Sequence, residues 1–184
     1  MNALQPIVYT LFVTLFFGAT AATVTNAQVA PQDLFQLTST EFAPGGPIPK
    51  RFTCDDENAS PTLQIAGVPV AAKSLVLIMD DPDAPRGTFT HWLLWNMSPD
   101  LKEIVGGATP RNAVVGRNDF GKINYSGPCP PSGEHRYYFR IFALDTNLNL
   151  PAGASRKALE KALQGHVLGQ TTLMGRYART AATR

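Results

Sequence analysis

At 184 residues and a formal charge of +2 the chain suits one domain, and its charges are mixed in sign with no basic block, so nothing implies nucleic acid. A mature domain of roughly 150 residues buries about 68–70% of its unfolded surface, so a core requires neither metal nor disulfide. Fifteen Pro and fifteen Gly imply many turns and a β-rich fold, and no repeat of roughly 20–50 residues marks a solenoid.

The chain opens on a run, Ile7 to Ala22, that is apolar or small and carries no charge. Thr25-Asn26-Ala27 fits a small-x-small cleavage site that leaves Gln28 as the new N-terminus. Residues 1–27 therefore read as an export signal, although no Lys or Arg precedes the apolar run. A membrane anchor is the alternative, but the run is short and diluted by Thr, Gly and Ala. The mature protein is then extracytoplasmic, periplasmic or secreted, with no stable membrane span. Residues 28–36 read as a linker and 37–184 as the domain.

Leu37 to Phe42 is a short strand, and Ala43-Pro-Gly-Gly-Pro-Ile-Pro49 is a loop. Phe52 to Pro61 is a polar loop, with Thr62 to Ile65 a strand after it. Leu75 to Met79 reads as a buried strand that ends in Asp80-Asp-Pro-Asp-Ala-Pro85, where no central strand continues. The next apolar run begins at His91. Alternation puts His91, Leu93 and Trp95 on one face and Trp92, Leu94 and Asn96 on the other. Both faces are apolar, so this strand belongs inside a sheet covered on both sides. Ile104 to Gly116 is irregular, and Gly116 to Gly133 is a long loop of the kind usually retained for function. His135 to Leu144 is the third clear strand, with His135, Tyr137, Phe139 and Ile141 on one face. Ser155 caps a helix running to about Gln164, with Gly165 at its exit, and Leu173 to Tyr177 returns as a last strand.

Polar groups crowded at the ends of buried strands are costly unless they are paired or bind something. Asp81 and Asp83, two apart in an extended segment, point the same way and would raise each other's pKa beside water-poor surface, but on residue type alone the stronger reading is that one caps a turn and the other forms a salt bridge. His91 and His135 each open a strand, and Tyr137 shares the face of His135. Together with backbone N–H groups of the Gly127 to Gly133 loop, these residues describe a pocket for an oxyanion or phosphate. Two His and a carboxylate also suit zinc or iron, but no short helical spacing supports a metal site. Ser126 and Ser132 lie near the loop without a nucleophile-elbow motif. His166, the third histidine, reads as a helix-end residue. In an exported chain the only two cysteines, Cys54 and Cys129, favour a disulfide over free thiols or metal ligands. Sequons begin at Asn58, Asn96 and Asn124; two have Pro after the Ser, and Asn96 falls in a buried strand.

Asp81-Pro-Asp-Ala-Pro85, His91-Trp-Leu-Leu-Trp-Asn96, Asn118-Asp-Phe-Gly121, Gly127-Pro-Cys-Pro-Pro131 and His135-Arg-Tyr137 together resemble the phosphatidylethanolamine-binding protein family, in its bacterial and archaeal Raf-kinase-inhibitor-like branch. The resemblance runs from about Phe42 to Tyr177. It implies a large antiparallel sheet packed with a smaller one, plus peripheral helices. It also implies an anion pocket at the sheet end, falling here on Asp81, Asp83, His91, Gly127, His135 and Tyr137. Loops bearing Cys54 and Cys129 approach that pocket in the resembling fold, and the Ala84–Pro85 peptide bond is expected to be cis. Asp56 stands where the branch usually has Gly, and Ile65 where it usually has Trp, which leaves aromatic packing on a ligand in question.

A fold does not settle a function. The resemblance implies, first, a non-enzymatic binding protein for phosphate-bearing small molecules or lipid head groups, with no cofactor. A protease inhibitor acting through surface loops is the alternative, and a metal-assisted hydrolase the third. An exported protein would not meet cytosolic kinases. His135→Ala is expected to weaken anion binding while leaving the fold intact, provided that the side chain lies at the pocket rim.

Overall fold

The structure, a computed structural model, describes residues 34–179. The export signal assigned to residues 1–27 lies outside the described residues, as do most of the assigned linker and the last five residues. Among the described residues no helix is long and apolar enough to cross a membrane.

Among the described residues eight strands and one α-helix follow in the order β1 (Gln36–Thr38), β2 (Leu63–Ala66), β3 (Ser74–Asp81), β4 (Phe89–Met97), β5 (Glu103–Ile104), β6 (Val114–Val115), β7 (Glu134–Leu144), α1 (Arg156–Leu163) and β8 (Val167–Ala178). They form two sheets, β1-β2-β5 and β6-β4-β3-β7-β8, and every pairing is antiparallel. This is the mostly β architecture, large sheet against small, that the sequence motifs imply.

All eight residues of β3 are buried. Their alternation feeds two cores. Leu75, Leu77 and Met79 point between the sheets and meet Leu63 and Ile65 of β2, Trp92 and Leu94 of β4, and Tyr137 and Phe139 of β7. Val76 and Ile78 point the other way, with Leu93 and Trp95, toward Leu159 and Leu163 of α1 and the Leu148 loop. The large sheet is therefore covered on both faces, and its central strands lack the polar face of a half-exposed sheet.

Several boundaries differ from expectation. β1 stops at Thr38 because the Ser39 hydroxyl turns to the Thr62 carbonyl at 2.7 Å and accepts from the Glu41 N–H at 3.2 Å, bending the chain before Phe42. Gln36, assigned to the linker, is already paired with Ala66. β8 begins six residues earlier than Leu173, through polar Gly169-Gln-Thr-Thr172, because β7 supplies a full ladder of partners down to Val167. The stretch 104–116 contains two short strands that close the sheet edges. α1 starts as expected, with the Ser155 side chain accepting from the Ala158 N–H at 3.3 Å, and Gly165 leaves it at φ 81°.

The aspartate turn after β3 corrects one expectation. No cis peptide bond occurs among the described residues, so Ala84–Pro85 is trans. The reversal is made instead by the Asp81 side chain, which accepts from the Asp83 N–H at 2.8 Å, and by Gly87 at φ 97°, whose N–H reaches the Ala84 carbonyl at 3.1 Å. With a side-chain-closed turn and a left-handed glycine available, the prolines need only fixed φ.

Candidate functional site

The site is built where β3, β4 and β7 end together. Met79 pairs with Trp92 and Asp80 with Thr90, so His91 is an extra residue on β4. This β-bulge overturns the strict alternation that placed His91 with Leu93 and Trp95. The bulge turns the imidazole to the inter-sheet side, where its ring centroid lies 5.3 Å from that of Tyr137. On β7, one residue pair along, His135 sits beside Tyr137, and its Nδ1 lies 2.7 Å from Asp81 Oδ2. Asp81, His91, His135 and Tyr137 are thus brought together, at 3%, 2%, 7% and 0% exposure.

Each polar atom in this group has an assignable role. Asp81 uses one oxygen on the Asp83 N–H and the other on His135, whose Nδ1 donates. His91 Nδ1 lies 2.7 Å from the Ser126 carbonyl, which only accepts, so Nδ1 carries the proton and Nε2 is the free ring nitrogen. Burial pushes the His91 pKa down, against the opposing pull of that carbonyl and of the Asp81 charge. The neutral ring then presents a lone pair at Nε2, and it becomes a donor there only on protonation. The Tyr137 hydroxyl has no hydrogen-bond partner among the described residues. Burial and the Asp81 charge push its pKa up, so it stays a neutral donor.

Two residues expected in the pocket are spent elsewhere. Asp83 turns outward to Arg136, accepting from its N–H at 2.9 Å, from Nε at 2.9 Å and from Nη2 at 2.6 Å. That guanidinium holds the Asp83 carboxyl at about 2, the opposite of mutual elevation by Asp81. The Gly127 N–H donates to Asn58 Oδ1 at 2.7 Å and is not free for an anion. Gly127 is required for close approach instead, since a Cβ there would fall 2.1 Å from the Phe52 carbonyl oxygen. His135 is not at a rim either. It is the buried partner of a buried carboxylate, and a hydrogen bond to a charged group contributes about 1.5–3 kcal/mol, so His135→Ala tests the fold as much as any ligand.

A cavity of about 390 Å³ opens beside Asp81 and His91. Its remaining wall includes Arg86, Phe89, Asp119, Phe120 and the Cys129–Pro131 loop. The Asn118-Asp-Phe-Gly121 stretch of the long loop supplies part of this wall, a role that its sequence alone does not assign. Asn118 donates to the carbonyl of Asn124 at 3.0 Å and to Ser126 Oγ at 2.9 Å, fixing the loop on itself. Asp119 clips that loop to β4, its N–H on the Thr90 carbonyl at 3.0 Å and its Oδ2 accepting from the Thr90 N–H at 2.6 Å. Phe120 is thereby set edge-on to Phe89 at 4.7 Å and to His91 at 5.6 Å. Ile65, by contrast, is buried between the sheets, so the aromatic wall comes from these loop residues rather than from its position. Arg86 makes no hydrogen bond or ion pair among the described residues.

Cys54 and Cys129 form a disulfide, with Cα atoms 5.4 Å apart. It ties the loop before β2 to the cavity wall. Among the described residues no three His, Cys, Asp or Glu side chains are grouped as metal ligands. His166 pairs with Asp145 at 2.8 Å at the exit of α1. Asn58 Oδ1 accepts from the Gly127 N–H, and both polar atoms of the Asn96 amide are taken by the Leu148 backbone, which leaves Asn96 no idle amide nitrogen.

The family model described as phosphatidylethanolamine-binding protein matches residues 38–178. A UPF0098 protein of Methanothermobacter thermautotrophicus is 52% identical over 148 residues, covering 78% of this chain and 98% of the relative. A UPF0098 protein of Pyrococcus horikoshii is 44% identical over 188 residues, covering 97% and 91%. Among solved structures, a phosphatidylethanolamine-binding-protein homologue from Chlamydia trachomatis matches with TM-score 0.77 at 42% identity, over 80% of this chain and 99% of that one. The Escherichia coli protein YbcL, described as a member of the mammalian family, matches with TM-score 0.75 at 30% identity, over 79% and 99%.

Proposed function

The chain belongs to the phosphatidylethanolamine-binding protein family, and from that premise we propose that it is a non-enzymatic binding protein whose strand-end cavity takes a small anionic molecule, a phosphate-bearing compound or lipid head group, outside the cytoplasm. One observation carries this: a buried Asp81–His135–Tyr137–His91 cluster adjoins a cavity of about 390 Å³ whose one arginine is uncommitted. That volume falls in the small-molecule range. Arg86 supplies charge, while Tyr137 lies behind His91, fully buried and outside the cavity lining. His91 supplies a further donor once protonated.

A binding role is favoured over hydrolysis by the way the serine beside His91 is held. Ser126 Oγ accepts from Asn118, and His91 faces the Ser126 carbonyl rather than its hydroxyl, so no base is aimed at a nucleophile. Export is supported by the apolar run at 7–22 and by the disulfide.

Calorimetric titration with phosphate and with phosphoethanolamine, above and below about pH 6.5, tests the binding role. Affinity is expected to rise on the acid side, because protonated His91 gains a donor and a charge. Burial lowers its pKa, so the rise comes below the ordinary imidazole range. His91→Phe keeps the aromatic packing and is expected to abolish the rise. Equal affinity at both pH values in both proteins would remove the anion pocket, and inhibition of proteases by the intact domain would then be the function to test.

A further inference from the structure

The walls of the cavity carry more than an anion needs. Its charged and titratable groups are Arg86, Asp119, Asp81 and His91. Asp81 has both oxygens engaged, one by His135 and one by the Asp83 N–H. His91 is held neutral near pH 7 by burial. Two groups remain to meet a ligand. Arg86 is a cation with no partner among the described residues, and Asp119 is an exposed carboxylate with one oxygen on the Thr90 N–H and the other unengaged. A dianion gains from Arg86 and is opposed by two carboxylates. A cation gains from Asp119 and is opposed by Arg86. A molecule carrying both signs satisfies both.

The rest of the wall is mostly apolar and includes two aromatic rings. Phe89 and Phe120 meet edge-on at 4.7 Å, and His91 lies 5.2 Å from Phe89 and 5.6 Å from Phe120. Phe120 leaves 45% of its surface in solvent although it is clipped in place through Asp119. A large ring fixed by its neighbours yet left open offers a face for another ring, which prefers an offset or edge-on contact of this kind. Proline side chains, Pro85 and Pro131, complete the apolar part. Inorganic phosphate has no surface to match against these groups.

We propose that the preferred occupant is an aromatic zwitterion, of the class of an aromatic amino acid, with its anionic end on Arg86, its ammonium on Asp119 and its ring against Phe120 and Phe89. This rests on the cavity being the binding site, as proposed above, and departs from it in requiring a positive end and a ring. The geometry explains why one loop carries Asp119 and Phe120 in succession: a single clip to β4 sets both the carboxylate and the ring.

The probes are L-phenylalanine, phenylacetate, phenethylamine, phosphoethanolamine and inorganic phosphate, titrated calorimetrically into the full mature domain at neutral pH. L-Phenylalanine is expected to bind more tightly than phenylacetate and phenethylamine, each of which lacks one charged end. Arg86→Gln and Asp119→Asn are each expected to weaken it by roughly tenfold to a hundredfold, the size of one charge-assisted hydrogen bond. Asn at 119 keeps an oxygen for the Thr90 N–H, so that variant retains the loop clip. Phe120→Ala is expected to weaken L-phenylalanine by about two- to tenfold more than it weakens phosphoethanolamine. If phosphoethanolamine binds and L-phenylalanine does not, or if Arg86→Gln and Asp119→Asn leave L-phenylalanine binding unaltered, the aromatic zwitterion is overturned and the head-group pocket stands. If no probe binds the wild-type domain, the cavity is not a binding site and both fail.

Discussion

At the scale of single residues the polar cluster is defined by which atoms are already spoken for. His91 shows this most fully, because its Nδ1 proton is committed to the Ser126 carbonyl while its surroundings disfavour a second proton. Its folded pKa lies below the unfolded value of about 6.5, so at lower pH the unfolded chain binds the extra proton more readily. Stability is therefore complete above that value, falls as pH drops through it, and stops falling on this account once the folded ring itself is protonated. Denaturant unfolding at pH values from neutral to mildly acid is expected to show this decline, and His91→Phe to flatten it. A wild-type profile level across the imidazole range would show that His91 is not held neutral. Strand ends and motif order bring Asp81, His91, His135 and Tyr137 to one end of the sheet, and the structure places their side chains next to one another there. The sequence did not show that Arg136, pointing off the opposite side of β7 from His135, would capture Asp83. Nor did it show Arg86, whose value comes from having no partner, a property with no signature in a sequence.

At the scale of elements, the long apolar strands and their proline-marked ends were legible, and the bulges within them were not. β3, β4 and β7 stand close to where their composition puts them: β3 and β4 are buried on both faces, while β7 buries one face and leaves the other, with Arg136 and Arg140, partly open. β4, however, carries two irregularities. Leu75 pairs with Met97 and Leu77 with Leu94, so a second extra residue follows Trp95, and Asn96 takes it at φ 57°. Both Asn96 amide atoms then serve the Leu148 backbone, Nδ2 donating to its carbonyl at 2.9 Å and Oδ1 accepting from its N–H at 2.7 Å. The bulge thus anchors the loop that covers the outer face of the sheet. Replacing Asn96 by Ala gives up two hydrogen bonds, about 1 kcal/mol each, and leaves an L residue in a left-handed conformation at about 1–2 kcal/mol. Asn96→Ala is expected to lower the unfolding free energy by about 3 kcal/mol, and Asn96→Gly, which relieves only the backbone, by less. Equal losses for the two would mean that the positive φ costs nothing here. Alternation rules assume a regular ladder, and a one-residue bulge inverts their result for every residue beyond it.

At the scale of the whole molecule, the two-sided core and the disulfide make separable contributions. The inter-sheet core joins residues from β1, β2, β5 and the large sheet and contains neither cysteine. Cys54 and Cys129 lie 75 residues apart, and nearly all of the aspartate turn, β4 and the cavity loops falls between them. In the chain-entropy account, closing a loop of that length restricts the unfolded chain by up to about 4 kcal/mol. The double variant Cys54→Ser/Cys129→Ser is therefore expected to fold, with native-like far-ultraviolet circular dichroism, and to lose up to that amount of unfolding free energy in denaturant. Cys129 also lines the cavity beside Pro131, so the variant is expected to bind the cavity's ligand less tightly than its lost stability alone would cause, because the wall is no longer held to the Cys54 loop. A reduced domain as stable as the oxidised one would show that the unfolded chain is already restricted in this region. A variant that failed to fold at all would show the bridge to be a structural requirement that the core does not replace.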